Sequence, residues 1–238
     1  MARMVKVCLN GDRGRGDHPG VPITPAELAR EAEAAVQAGA QAIHLHPRGA
    51  DEKESLGWSD VRVAVEAVRA RCPGVPIGVS TRQEIVPDLW ERLALLAEWD
   101  RGPDFASVNF HEVGAEQIAD LLIERGIEIE AGLFTPAAAE DYVAWGGPFT
   151  RVLVEAIPGI SPGQDGVEAA QATLAVLPTT DVLVHGENEW AWPVLRWAMT
   201  QGYDVRVGLE DMLSGPDGEQ VRGNADLLGY LSDEQLHR

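Results

Sequence analysis

The sequence predicts a (β/α)8 TIM barrel, an α/β fold in one domain over residues 1–238. Three observations carry this reading. The chain has 238 residues, a length that suits one barrel-type domain. Short apolar runs alternate with longer amphipathic ones, eight of each, which argues for parallel strands joined by helical crossovers. No linker, internal repeat or low-complexity segment divides the chain.

The strands are expected at Val5–Leu9, Ala42–His46, Ile77–Thr81, Phe105–Asn109, Ile127–Leu133, Arg151–Ile157, Asp181–His185 and Asp204–Glu210. Helical periodicity fills the gaps at Thr24–Ala38, Trp58–Arg71, Pro87–Trp99, Gly114–Arg125, Thr135–Trp145, Gly166–Leu177, Glu189–Gln201 and Asn224–Tyr230. Thr24 followed by Pro25, with Glu27 three residues on, forms a capping box with proline at the first helical position. The Pro/Gly-rich stretch 158–166 is read as a βα loop. An open doubly wound sheet is the competing fold. It needs a glycine-rich phosphate loop after the first strand, but the glycines after Asn10 run into His18, Pro19 and Pro22 instead of a helix start.

Composition narrows the function. The formal net charge of −19 repels phosphate backbones, so nucleic acid is excluded as a partner. No run of about 18 apolar residues exists to span a membrane. Cys8 and Cys72 make no disulfide framework, and the N-terminal stretch lacks the apolar run of a signal peptide. A reducing, cytoplasmic location is expected.

The chemistry concentrates at strand ends. His44, His46 and Arg48 alternate with Ile43 and Leu45, which puts the histidines on the face opposite the apolar residues. With the hydrophobics packing outward on helices, the histidines point into the barrel mouth. Such a pair suits a first-row metal, though two polar core histidines would show the same pattern. The last strand repeats the logic: Arg206, Gly208 and Glu210 oppose Val205, Val207 and Leu209. Barrel interiors are layered by alternate strands, so Glu210 can join His44 and His46 around one ion. An internal Arg206–Glu210 ion pair without metal is the alternative. Ser80, Thr81, Ser107, Asn109 and Glu130 add polar groups at neighbouring strand ends, where barrel active sites form.

These residues together resemble the β-keto acid cleavage enzyme family. The matching elements are Asn10-Gly11, Val21–Ala29, Ala38-Gly39-Ala40, His44-Leu45-His46-Pro47-Arg48, Ser80-Thr81, Asn109, Val205–Asp211 and Asn224. The resemblance implies a zinc enzyme that condenses a β-keto acid with acetyl-CoA, giving acetoacetate and a new acyl-CoA. It implies His44, His46 and Glu210 as Zn2+ ligands and Arg206–Asp211 as the deprotonating dyad. Ser80, Ser107, Asn109 and Glu130 would surround the substrate, with Thr81, Arg13 and Arg48 beside them. It also implies a homo-oligomer, specifically a tetramer. Arg13 stands where the resemblance places a glutamate facing a substrate ammonium. A guanidinium there would favour a neutral or anionic tail, as in 3-oxoadipate or 3-oxoglutarate.

Two other functions fit the same residues. A metal-dependent barrel hydrolase, or an aldolase or lyase, would use the same ion and base without CoA. A barrel retained only for binding would not need Arg206, Glu210 and Asp211 beside the two histidines.

Overall fold

The computed structural model describes residues 4–100, 102–149, 151–178 and 181–236. Eight parallel strands close a barrel in sequence order. They are β1 (Val5–Cys8), β2 (Ala42–Leu45), β3 (Ile77–Ser80), β4 (Phe105–Asn109), β5 (Glu128–Leu133), β6 (Arg151–Ala156), β7 (Val182–Gly186) and β8 (Asp204–Val207). Helices α1 (Pro25–Gln37), α2 (Trp58–Arg71), α3 (Leu89–Leu96), α4 (Ala115–Glu124), α5 (Pro136–Trp145), α6 (Gly166–Leu174), α7 (Ala191–Gln201) and α8 (Asn224–Leu236) follow the strands in turn.

Local chemistry sets the helix starts. Thr24 caps α1 in a full capping box with Glu27, and Pro25 opens the first turn. Asp88, Thr135 and Asp165 cap α3, α5 and α6 through their side chains. Because Asp88 is a cap, α3 starts later than the expected Pro87 and runs only to Leu96. A single 3-10 turn at Asn188–Trp190 precedes α7, where one continuous helix from Glu189 was expected.

Strand alternation separates two interiors. Val7, Ile43, Leu45, Ile77, Val79, Val152, Val154, Val184 and Val205 face outward and form one contiguous apolar core with the helices. The inward positions include Lys6, Cys8, His44, Ser107, Glu130 and Arg206, all nearly or fully buried. Apolar filling inside comes from Phe105, Leu153 and Leu183. Phe105 lies against Gly78, where a Cβ would meet its ring at 2.0 Å.

One expectation changes in detail. β8 ends at Val207, and residues 208–211 form a tight turn in which the amide of Asp211 donates to the Gly208 carbonyl at 2.9 Å. Glu210 therefore reaches the barrel mouth from a turn, not by strand alternation. β2 likewise ends at Leu45, one residue before His46. Among the described residues, no helix is long and apolar enough to cross a membrane.

Candidate active site

The C-terminal ends of the strands surround a cavity of about 320 Å3. His44 enters from β2, in register with Cys8 of β1 and Gly78 of β3. His46 follows on irregular backbone held by Asn10: the Asn10 amide donates to the His46 carbonyl at 2.8 Å and accepts the His46 N–H at 2.9 Å. Asn224 ties the ends of β1 and β8 in the same way, donating to the Leu9 carbonyl and accepting the Leu209 N–H. Gly11 (φ 54°) completes the frame, because a Cβ there would stand 2.4 Å from the Glu210 side chain.

His44, His46 and Glu210 converge, with one ligand atom from each lying within 4.8 Å of the others. Glu210 Oε2 lies 3.9 Å from His44 Nε2, and Oε1 lies 3.6 Å from His46 Nε2. His46 Nε2 and Glu210 Oε2 are buried and have no hydrogen-bond partner. Buried polar atoms of this kind are costly unless something satisfies them. The outer ring nitrogens fix the tautomers. His46 Nδ1 is bonded to the Glu54 carboxylate. His44 Nδ1 faces Ser107 Oγ at 3.4 Å, and that hydroxyl donates to Glu130 Oε2 at 2.8 Å. Each Nε2 lone pair is thereby left facing Glu210. Two imidazoles and a carboxylate with orphaned atoms fit a divalent metal such as zinc and leave coordination positions open.

Electrostatics agree with that fit. Burial pushes the His44 imidazole well below its ordinary range, so it stays neutral as a ligand must. Burial also acts against charge on His46, but the carboxylates of Glu210 and Glu54 outweigh it and raise the imidazole. For Glu210 burial is overcome by Arg206, His46 and His44, which hold the carboxyl well below its usual range.

Arg206 ties the acidic wall together. Its guanidinium donates to Asp211 at 2.7 Å and 3.1 Å, to Glu210 Oε1 at 2.6 Å and to Glu155 Oε2 at 3.4 Å. Burial alone would depress this group, yet Asp211 and the neighbouring acids raise it well above its ordinary value. Asp211 is fully buried behind Arg206, whereas Arg206 lines the cavity.

The other expected residues divide into two groups. Ser80, Ser107 and Asn109 line the cavity. Thr81, Glu130, Arg13 and Arg48 do not. Thr81 is spent on the Ser107 carbonyl, to which its hydroxyl donates at 2.9 Å. Glu130 is sealed below the floor between Lys6 and Arg151. Arg13 turns to the Glu210 carbonyl at 2.9 Å and to Asn188 at 2.8 Å. Arg48 holds the carbonyls of Gly11 and Arg13. Sequence reasoning passed over Asp12, Arg82, Glu84, His111, Glu155 and Glu187, which all line the cavity. Glu155 had a signal, since it stands at inward parity on β6. Glu54 and Arg82 sit on irregular loops, where no period marks them.

A pocket walled by ionisable groups over the C-terminal mouth of a parallel barrel defines the class, an enzyme of the (β/α)8 type. The chain belongs to the β-keto acid cleavage enzyme family, whose sequence profile matches residues 3–233. A 3-keto-5-aminohexanoate cleavage enzyme of Fusobacterium nucleatum subsp. nucleatum is 26% identical over 225 residues, covering 89% of this chain and 82% of the relative. A 3-oxoadipate:acetyl-CoA acetyltransferase of Cupriavidus necator is 37% identical over 79 residues, 33% of this chain and 28% of the relative. Among solved structures, apo ObcA superposes with a TM-score of 0.70 at 19% identity, covering 92% of this chain. The chain spans 62% of that protein's length, and the likeness shows the fold alone.

Proposed function

We propose that this protein is a zinc-dependent β-keto acid cleavage enzyme that condenses a β-keto acid with acetyl-CoA, yielding acetoacetate and a new acyl-CoA. The observation that carries the proposal is the convergence of the partnerless His46 Nε2 and Glu210 Oε2 on His44, beside the Arg206–Asp211 pair. The acetyl-CoA requirement is taken from the name of the Cupriavidus necator relative.

His44, His46 and Glu210 would hold the ion. When bound, the ion supplies Lewis acidity that acidifies the proton between the two carbonyls of the substrate. Ser80 and Asn109 offer hydrogen bonds to substrate oxygens from the strand ends, while Ser107, whose proton goes to Glu130, lines the cavity between them. Arg206 presents a permanent positive charge to the cavity, where negative charge develops as the α-proton leaves. Arg206 positions Asp211, whose carboxylate takes up the α-proton, so the two act as one deprotonating unit. Asp12 and Arg82, themselves paired at 3.1 Å, stand at the mouth where a substrate tail would lie. Arg13, Arg48 and Glu130 serve the site indirectly, by holding the first loop and the His44 tautomer. A homotetramer is part of the proposal and is checked by light scattering.

The test is metal analysis together with a screen of β-keto acids with acetyl-CoA. Native protein should carry close to one zinc per chain and release acetoacetate. Replacing both His44 and His46 by Ala should remove metal and turnover together. Unchanged metal content in that double variant sinks the ligand assignment. Asp211→Asn should keep the metal and lose about 10²–10⁴-fold in turnover. A near-native rate would remove Asp211 from the deprotonating unit.

A further inference from the structure

Arg92 and Glu112 form a buried ion pair that the site described above does not use. Arg92 lies on α3 and is 1% exposed, and Glu112 lies between β4 and α4 and is 7% exposed. Arg92 Nη1 donates to Glu112 Oε2 at 2.8 Å, and Nη2 donates to the Val113 carbonyl at 3.1 Å. Neither residue lines the cavity. Stability does not require such a pair, since apolar residues of similar volume often serve as well. What else the pair touches is therefore informative.

The second Glu112 oxygen reaches the site. Oε1 accepts from Asn109 Nδ2 at 2.7 Å. Among the described residues, this is the only hydrogen bond that the Asn109 side chain makes. The torsion that turns a terminal amide is broad and two-fold, so an untethered Asn109 could exchange its N–H and C=O edges. A charged carboxylate only accepts, so Glu112 forbids the exchange. The backbone is folded to make this contact, with the Glu112 N–H donating to the Asn109 carbonyl at 3.1 Å. Asn109 Oδ1 is left on the Gly132 side, where a Cβ would stand 2.5 Å from it. One N–H of the amide remains for a substrate oxygen. Burial pushes the Glu112 carboxyl up to about 7, and the Glu84 charge adds to the rise. The Asn109 amide, the Arg92 charge and the Gln83 N–H act the other way and favour the ionised form.

We propose that Glu112 is a positioning residue for the reaction, locking the Asn109 amide in a single orientation at the cavity wall, with Arg92 fixing the carboxylate from the far side. This rests on the reading above, in which Asn109 meets a substrate oxygen. Glu112 itself touches no substrate. Its effect passes through Asn109 and disappears when that amide is removed.

The experiment compares native protein, Glu112→Gln, Asn109→Ala and the double variant, each zinc-loaded, with 3-oxoadipate and acetyl-CoA. Assays run at about pH 8, where Glu112 is charged. Glu112→Gln should lower kcat/KM about 2–10-fold, the reach of one hydrogen bond, through KM and with zinc content unchanged. Asn109→Ala should lower kcat/KM as well. Adding Glu112→Gln to Asn109→Ala should cost nothing further, because no amide is left to hold. Equal losses in the two backgrounds would mean that Glu112 supports only the fold, and they overturn the inference. A native kcat/KM in either single variant overturns it too. Native protein that releases no acetoacetate overturns the proposed reaction and this inference with it, which keeps the two failures apart. If Glu112→Gln does not fold, Glu112→Asp takes its place, since it keeps the charge beside Arg92 and draws it back from Asn109. Losses that vanish in the Asn109→Ala background then support the inference, and additive losses overturn it.

Discussion

The two ends of the barrel interior are both charged, and they differ in whether those charges are satisfied. At the bottom, fully buried Glu130 is held by Lys6, by Arg151 at 2.8 Å and by the Ser107 hydroxyl at 2.8 Å. Phe105 packs beneath both cations, 5.9 Å from Lys6 Nζ and 5.4 Å from the Arg151 guanidinium carbon. At the top, His46 Nε2 and Glu210 Oε2 are buried without partners. The bottom is a closed ionic knot, while the top is an open set of groups that could hold a metal. Volume does not make this distinction. A larger recess of about 670 Å3 opens at the N-terminal ends of β4 and β5, but its Arg69 is already paired with Asp104 at 3.1 Å.

The largest effect should come from cutting the knot. Lys6→Met leaves the buried Glu130 carboxylate with one cation fewer. Breaking a buried pair by removing one partner costs about 3–5 kcal/mol, so denaturant midpoints should fall steeply. Replacing Glu130 by Met as well should recover much of the loss, because the stranded charge is gone. A single variant as stable as native protein would mean that the bottom is not closed in this sense.

An intermediate effect should come from the ring around the ligands. Glu54 holds His46 Nδ1 and so sets which nitrogen faces Glu210. Glu54→Gln should weaken zinc binding about 10–100-fold, measured by competition with a chelator, with little change in metal-free stability. Unchanged affinity would show that Asn10 alone orients His46 through its backbone.

The same contrast explains what could be read from the chain. The barrel was legible because its outward strand positions are uniformly apolar, as in Val152 and Val154 or Val182 and Val184. His44 and Arg206 were legible because they interrupt that alternation on the inward side. Glu130 interrupts it in the same way, yet it belongs to the knot, since parity gives direction but not height along the barrel axis. Glu210 was found although the strand ends three residues before it. Glu54 and Arg82 could not be found from periodicity, because their loops have none. Arg13 sits in the first loop as expected, but chain position does not say which way a long side chain turns. It turns to the Glu210 carbonyl, and the cavity is left to Asp12.

The last comparison separates the two ends by the sign of a pH dependence. Burial pushes the Glu187 carboxyl up to about 8, with the charge of Asp211 adding to the effect. Between its ordinary value of 4.5 and about 8, the folded protein holds a proton that the unfolded chain has lost. Stability must then fall as pH rises through that window and level off above it. Glu130 works in the opposite direction. Burial opposes its charge, but Lys6 and Arg151 hold it well below its ordinary value, so its contribution is present at neutral pH and is lost only in acid. Denaturant midpoints of metal-stripped protein from about pH 5 to pH 8 should therefore decline, and Glu187→Gln should make the decline shallower without touching the acid limb, leaving the part that Glu112, pushed by burial up to about 7, contributes. An unchanged slope in that variant would remove Glu187 as the titrating group of the open end. A slope that flattens only when zinc is added would place the titration on the ligands themselves, because bound metal competes directly with protons for His46.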